Sequence, residues 1–346
     1  MNNPEITVSA EAAEFLKGEG AEALGLRFVP LPNGRFSMEL PRPCDHRHAN
    51  PERRVMRLAE VVLFPDQEAY QRRQSINALA KITKWGQFQP WAATEITLSV
   101  RGPNEQGKQT YAILNGQHTY LAALHSDVTE LPVAIHTDLS LQCEAYLFTL
   151  KNSAIALAAS QLAKALRAWG EPVIWQISGI LAEYGLSLNT TGRGSKNPFS
   201  KQVGAVTGLR SVIDTNGPDG LATVVRWLVT GFEADDDTSR FNSYVIRGMG
   251  NFYSRYVRQR RRGKDVSLVD DIRFVRQIHG RYASIGKLAR RYMNSMGGDL
   301  AAGYASALVH TYNEGLPAKS KTRLPSYSKI NDLACTDAVA VLDATG

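Results

Sequence analysis

The chain reads as an α+β protein: a small mixed α/β domain followed by a mainly α-helical one. Three observations predict this. Short runs of strand and helix character alternate between about residues 54 and 152. After residue 152 strand-like runs become scarce and apolar residues recur with a helical period. The length, 346 residues, suits about two domains. The expected division is 1–53, a lead-in segment with a hairpin; 54–152, the mixed domain; and 153–346, a basic helical domain.

In the lead-in, residues 26–30 and 35–40 pair across Leu31-Pro32-Asn33-Gly34, since Asn-Gly tolerates the positive φ of a tight hairpin turn. In the mixed domain a β-like run extends from Val55 to Phe64 and a helix from Ser75 to Trp85. Strands follow at Glu95–Val100 and Thr110–Leu114, then a short helix from Gly116 or Gln117 through Leu124. Pro132 opens a strand at Val133–His136, and Ser140 is placed to cap a helix from Leu141 to about Lys151. The spacing predicts later helices over 156–169, 172–184, 201–214, 220–231, 241–260, 284–296 and 299–313.

Composition narrows the class. With 43% hydrophobic and 21% charged residues the chain is a folded one rather than a disordered one. No apolar run approaches the roughly 20 residues of a membrane helix. Three widely spaced cysteines, Cys44, Cys143 and Cys335, argue against a disulfide framework, so a reducing cytoplasm is the expected compartment.

The segment Tyr111-Ala112-Ile113-Leu114-Asn115-Gly116-Gln117-His118-Thr119 passes from a β-run through Asn-Gly straight into an apolar helix. Glycine permits the sharp turn, and the first helical N–H groups and the helix dipole then suit a phosphate or another anion. A strand–glycine–helix turn also serves as a plain connection, and the local pattern does not choose between the two. The segment resembles the glycine–x–histidine phosphate turn of the ParB/sulfiredoxin superfamily, whose ParB-like members often read Asp-Gly-Gln-His-Arg. Two further pieces are similar to the family: Tyr70-Gln71-Arg72 after a β-run, and Leu139-Ser140 opening a helix with Glu144-Ala145 and ending at Lys151-Asn152. The resemblance covers about residues 54–152 and is of the phage or mobile-element type.

That resemblance implies a ParB/sulfiredoxin-like domain in which Arg72, Gly116, Gln117, His118 and Thr119 hold nucleotide phosphates. It implies a nucleoside triphosphate, CTP or ATP, with Mg2+ as cofactor. Glu68 and His118 are the catalytic candidates if the family's phosphoryl-transfer or nuclease chemistry applies. Thr119 stands where many relatives carry Arg, and Asn115 where they carry an acid, so a cationic phosphate contact and an acidic function are missing. Sulfiredoxin chemistry is disfavoured because the turn lacks a cysteine.

The formal charge of +7 is unevenly spread. Residues 241–300 carry 13 Lys and Arg against four Asp, a net of +9. Arg255, Arg258 and Arg262 occur at i, i+3 and i+7 and can share one helical face, with Arg260, Arg261 and Lys264 beside them. Interleaved aromatics, including Phe252, Tyr256 and Phe274, either stack on bases or fill the core. Nucleic acid, DNA first, is the expected partner; no membrane is expected, and self-association into a homo-oligomer fits the same reading. Cys44-Asp45-His46-Arg47-His48 lacks a convincing second ligand pair, so no metal site is assigned. Three functions therefore compete: a ParB-like DNA-associated protein with a nucleotide-phosphate turn at Asn115–Thr119, a phosphoryl-transfer enzyme or nuclease at the same turn, and a non-catalytic regulatory or interaction protein retaining the fold.

Overall fold

The computed structural model describes residues 5–41, 44, 50–63, 70, 95–126, 128–152, 159–190, 201–232, 241–257, 259–261 and 264–327. The fold is α+β. Its first unit is a three-stranded sheet of order β1-β3-β2, built from β1 (Ile6–Val8), β2 (Arg27–Pro30) and β3 (Phe36–Glu39). The last two form the hairpin whose turn is closed by Leu31 N–H donating to Arg35 O. Helix α1 (Ala10–Gly18) lies between β1 and β2, capped by Ser9 accepting from Ala12 N–H at 3.2 Å. The lead-in is thus more regular than the sequence suggests, because this short Ala-rich helix buries Ala12, Ala13 and Leu16 against a distant partner, Trp175.

The mixed domain is a five-stranded sheet of order β4-β8-β6-β7-β5. Its strands are β4 (Glu52–Arg57), β5 (Val62–Leu63), β6 (Ile96–Pro103), β7 (Gln109–Asn115) and β8 (Glu130–His136). Strand β6 runs antiparallel to β7 and parallel to β8, and β5 runs parallel to β7. Alternation sorts the faces. Ile96, Leu98, Tyr111, Ile113, Val133 and Ile135 pack with Tyr120, Ala122 and Ala123 of α2 (Gln117–Leu124). On the opposite face Leu114 packs with Tyr70 and with Ala145 and Phe148 of α3 (Leu141–Lys151). Ser140 caps α3, its side chain accepting from Cys143 N–H at 3.2 Å. The expected 55–64 run is interrupted by a 3-10 turn at Leu58–Glu60, and the expected helix at 75–85 lies outside the described residues.

The helical half comprises α4 (Ala159–Trp169), α5 (Pro172–Ala182), α6 (Val206–Gly231), α7 (Ser243–Tyr256), α8 (Asp271–Ile278), α9 (Tyr282–Ser295) and α10 (Leu300–Asn313), with a short parallel pair, β9 (Ser187–Leu188) and β10 (Gln202–Val203), between α5 and α6. Helix α6 is kinked at Gly217, where φ is 73° and ψ 180°, ahead of Pro218. Phe274 stacks on Phe252 at 4.8 Å and meets Trp227 edge-on at 4.6 Å, so these aromatics form the core. Helices α9 and α10 approach closely because residue 303 is glycine: a Cβ there would sit 2.4 Å from Ala289 O. No described helix is long and apolar enough to cross a membrane.

The helix expected over 201–214 begins only at Val206, after the strand Gln202–Val203, and the expectation for the cationic segment is also corrected. The 241–260 helix ends at Tyr256, and Gln259–Arg261 and Lys264–Val266 form β11 and β12, an antiparallel hairpin. A continuous helix would crowd Arg258, Arg260, Arg261 and Arg262 within two turns, and like charges at that spacing destabilise it. Arg255 lies in the last turn of α7, whereas Arg258 and Arg262 lie outside the described residues. Helix α8 was not legible in the sequence.

Candidate functional site

The turn after β7 has the conformation its sequence requires. Gly116 adopts φ 85° and ψ 19°, a left-handed geometry that L side chains rarely take. A Cβ at this position would lie 3.2 Å from Ile96 Cα and 3.3 Å from Ile96 Cγ1. The glycine thus lets β7 turn into α2 while staying against the first residue of β6. Having no side chain, Gly116 caps none of the first N–H groups of α2. Gln117, His118 and Thr119 begin this helix and are each half-buried. Gln117 Oε1 is sealed from solvent without a hydrogen-bond partner among the described residues.

Arg72 and Glu68 lie outside the described residues, as do Arg258 and Arg262. Tyr70, two positions before Arg72, is described and is fully buried against Leu114. Leu114 is followed by Asn115 and Gly116, so Tyr70 itself lies beside the strand that feeds the turn. The parallel neighbours β5 and β7 run toward that same end of the sheet.

A buried polar cluster joins the same elements, and the sequence did not reveal it. Glu144 of α3 has no exposed surface. Its Oε2 accepts from the Tyr70 hydroxyl at 2.9 Å and from Arg101 Nη2 of β6. Burial pushes the Glu144 carboxyl above its ordinary range, while Ser99, Arg101 and Tyr70 pull it back. Burial and the Glu144 carboxylate together raise the Tyr70 phenol. The cluster ties α3 and the Tyr70 turn to the sheet face opposite α2, so it is a clamp for the site's scaffold. The available signal was in β6, where Thr97, Ser99 and Arg101 alternate with Ile96, Leu98 and Val100: a strand covered on both faces with one polar face.

In the helical half the cations divide into two groups. Arg255 lies over the Tyr327 ring at 5.5 Å. Arg273 donates to Tyr312 O and Glu314 O, and Arg281 pairs with both carboxylate oxygens of Glu314 at 2.7 and 3.0 Å. These three hold the fold together. Arg247, Arg276, Lys287, Arg290 and Arg291 are instead exposed. The last three share the outer face of α9, whose inner face buries Ile285 and Ala289. No Asp or Glu occurs between Asp271 and Asp299. Arg260, Arg261 and Lys264 lie in the β11–β12 hairpin.

No group of three metal-competent side chains occurs among the described residues. Cys44 is buried, and residues 45–49 lie outside the described residues.

No protein-family model matches the chain. No curated protein matches it either. Among solved structures it is similar to the C-terminally truncated chromosome-partitioning protein ParB from Caulobacter crescentus, complexed with CTP-gamma-S. That likeness has 12% identity and a TM-score of 0.23, over 51% of this chain and 99% of the other. A likeness at that level establishes neither family nor function.

Proposed function

We propose that the protein is a DNA-associated, ParB-like protein that binds a nucleotide phosphate at the Gly116 turn and contacts DNA through its helical half. The observation that carries the first part is the left-handed glycine between β7 and α2, with no side chain capping the helix. Peptide N–H groups at a helix start attract a phosphoryl group, and a Cβ-free residue lets it come close. His118 and Thr119 follow in the first turn of α2. The buried Gln117 Oε1 calls for a donor, and a ribose hydroxyl of a nucleotide supplies one. CTP and ATP are the nucleotides to test, each with and without Mg2+.

The outer face of α9 supports the second part. Lys287, Arg290 and Arg291 project from a helix without an acidic residue, and a phosphate backbone releases counterions when it meets such a face. This moves the expected contact away from Arg255, which lies over Tyr327.

The test has two arms. Nucleotide titration should show saturable binding that His118→Ala and Gln117→Leu weaken; binding indifferent to both removes the turn from the reading. DNA affinity measured across a salt series should have a steep slope, with the triple Lys287→Ala, Arg290→Ala, Arg291→Ala variant flattening it by about two to three. An unchanged slope removes α9 as the DNA face. Analysis of the titrated nucleotide and DNA for products tests the enzyme reading.

A further inference from the structure

We propose that the pocket between residues 19–24, which follow α1, and α4 is a binding site for a small oxyanion group, a carboxylate or phosphoryl, gripped by Arg167. This site is separate from the Gly116 turn and does not depend on it. The cavity measures about 320 Å³ and is lined by Glu19, Gly20, Leu24, Lys164, Arg167 and Thr190.

Arg167 is only 5% exposed. Its Nε and Nη2 are sealed from solvent and have no hydrogen-bond partner among the described residues. These two nitrogens form one edge of the guanidinium, the edge that takes two oxygens of a carboxylate or phosphoryl group side by side. A buried cation without a paired anion is strongly unfavourable, and structures retain one where something compensates it. Here the compensation within the chain is incomplete. The guanidinium lies over the Trp175 ring at 4.8 Å, and the indole N–H donates to Arg167 O at 3.1 Å. Those contacts set the plane of the group and leave its donors unmet. Burial pushes the guanidinium down from its ordinary value, and the Glu19 charge pulls it back without forming an ion pair with it. Engaging a ligand requires the unmet edge to turn toward the cavity, whose wall Arg167 and Lys164 share.

Glu19 limits what fits. It is an exposed carboxylate at the pocket rim, so it repels a bare anion and favours a ligand that carries a donor or a positive group some way from its oxyanion. The chemical class is therefore a small molecule with one carboxylate or phosphoryl end.

The experiment uses the full chain and follows thermal unfolding in inorganic phosphate and, separately, in acetate, each against chloride of matched ionic strength. Expected is a concentration-dependent rise in Tm in at least one of the two anions, since a ligand of the folded state stabilises it by mass action. The stronger anion identifies the phosphoryl or the carboxylate class. Arg167→Met should lose that rise while its Tm in chloride is no lower than that of the unsubstituted protein, because an uncompensated charge has been removed. Each measurement is made also in a Gln117→Leu, His118→Ala background, where a rise owed to the Gly116 turn is lost and the rise owed to Arg167 stays. Glu19→Gln, a surface change, should lower the half-saturating anion concentration severalfold. No anion-specific rise, or one that persists in Arg167→Met, overturns the proposal. So does a half-saturation unmoved by Glu19→Gln.

Discussion

Substituting Gly116 by alanine tests whether the turn is built as described. Two costs add. A left-handed backbone at an L residue costs about 1–2 kcal/mol. The new Cβ also meets Ile96 Cα at 3.2 Å and Cγ1 at 3.3 Å. That neighbour has little freedom to yield, because Ile96 begins the strand paired to β8 and lies deep in the core. Overpacking of this kind costs about 1 kcal/mol at the low end of its range. Gly116→Ala should therefore lose about 2–3 kcal/mol. Gly107 supplies the control: its φ is 73°, and nothing lies within 4 Å of an added Cβ. Gly107→Ala should lose only the conformational part, about 1–2 kcal/mol. Urea unfolding of both variants, with m unchanged, measures the difference. Equal losses would show that the Ile96 contact is not what makes the position glycine.

Three further outcomes follow from the same geometry. The raised Glu144 carboxyl holds its proton in the folded protein at pH values where the unfolded chain has released it. Its contribution to stability is thus greatest at or below the ordinary carboxylate range and falls as pH rises through the raised value; Glu144→Gln should flatten that part of the curve of unfolding free energy against pH. Glu314 behaves oppositely: Arg281 holds its carboxyl low, so its stabilisation is present above the ordinary range and is lost as pH falls through the depressed value. Both partners are more than a third exposed, so Arg281→Ala should cost no more than about 1 kcal/mol at neutral pH and shrink the acid-side loss, read by denaturation at two pH values. Gly303→Ala should cost about 1–3 kcal/mol or more, because its methyl would enter the space of Ala289 O and the Met293 backbone; a Tm within a degree of the unsubstituted protein would contradict the packing of α9 on α10.

Local signals and distant ones fared differently. The passage from β7 through Gly116 to α2 was legible because each part is encoded next to the other: an apolar run, Asn-Gly, then a helix-forming stretch. The Ser140 cap of α3 was legible for the same reason. The end of α7 was not, since the Arg and Gln residues that follow Val257 carry good helix propensity and the β11–β12 pairing that replaces the helix is not visible in a short window. Helix α8 is eight residues long and rests on Asp270 as its cap and Phe274 in the core, too short for periodicity to announce.

The site divides along the same line. Residues 116–119 could be picked out from neighbours in sequence. Glu144 meets partners 43 and 74 positions away, and Arg167 lines a cavity whose other wall comes from residues 19–24. Likewise, the +9 segment is visible as composition, yet its cations look alike until packing spends Arg273 and Arg281 on Glu314 and lays Arg255 over Tyr327.

By itself, the sequence determined the α+β class, the glycine turn and where positive charge accumulates, because backbone preference and residue identity act over a few positions. Tertiary structure alone decided which cations remain exposed, which carboxylate is clamped and where a buried guanidinium is left unmet. Those properties depend on burial and on partners brought together by the fold, and no short window of sequence contains them.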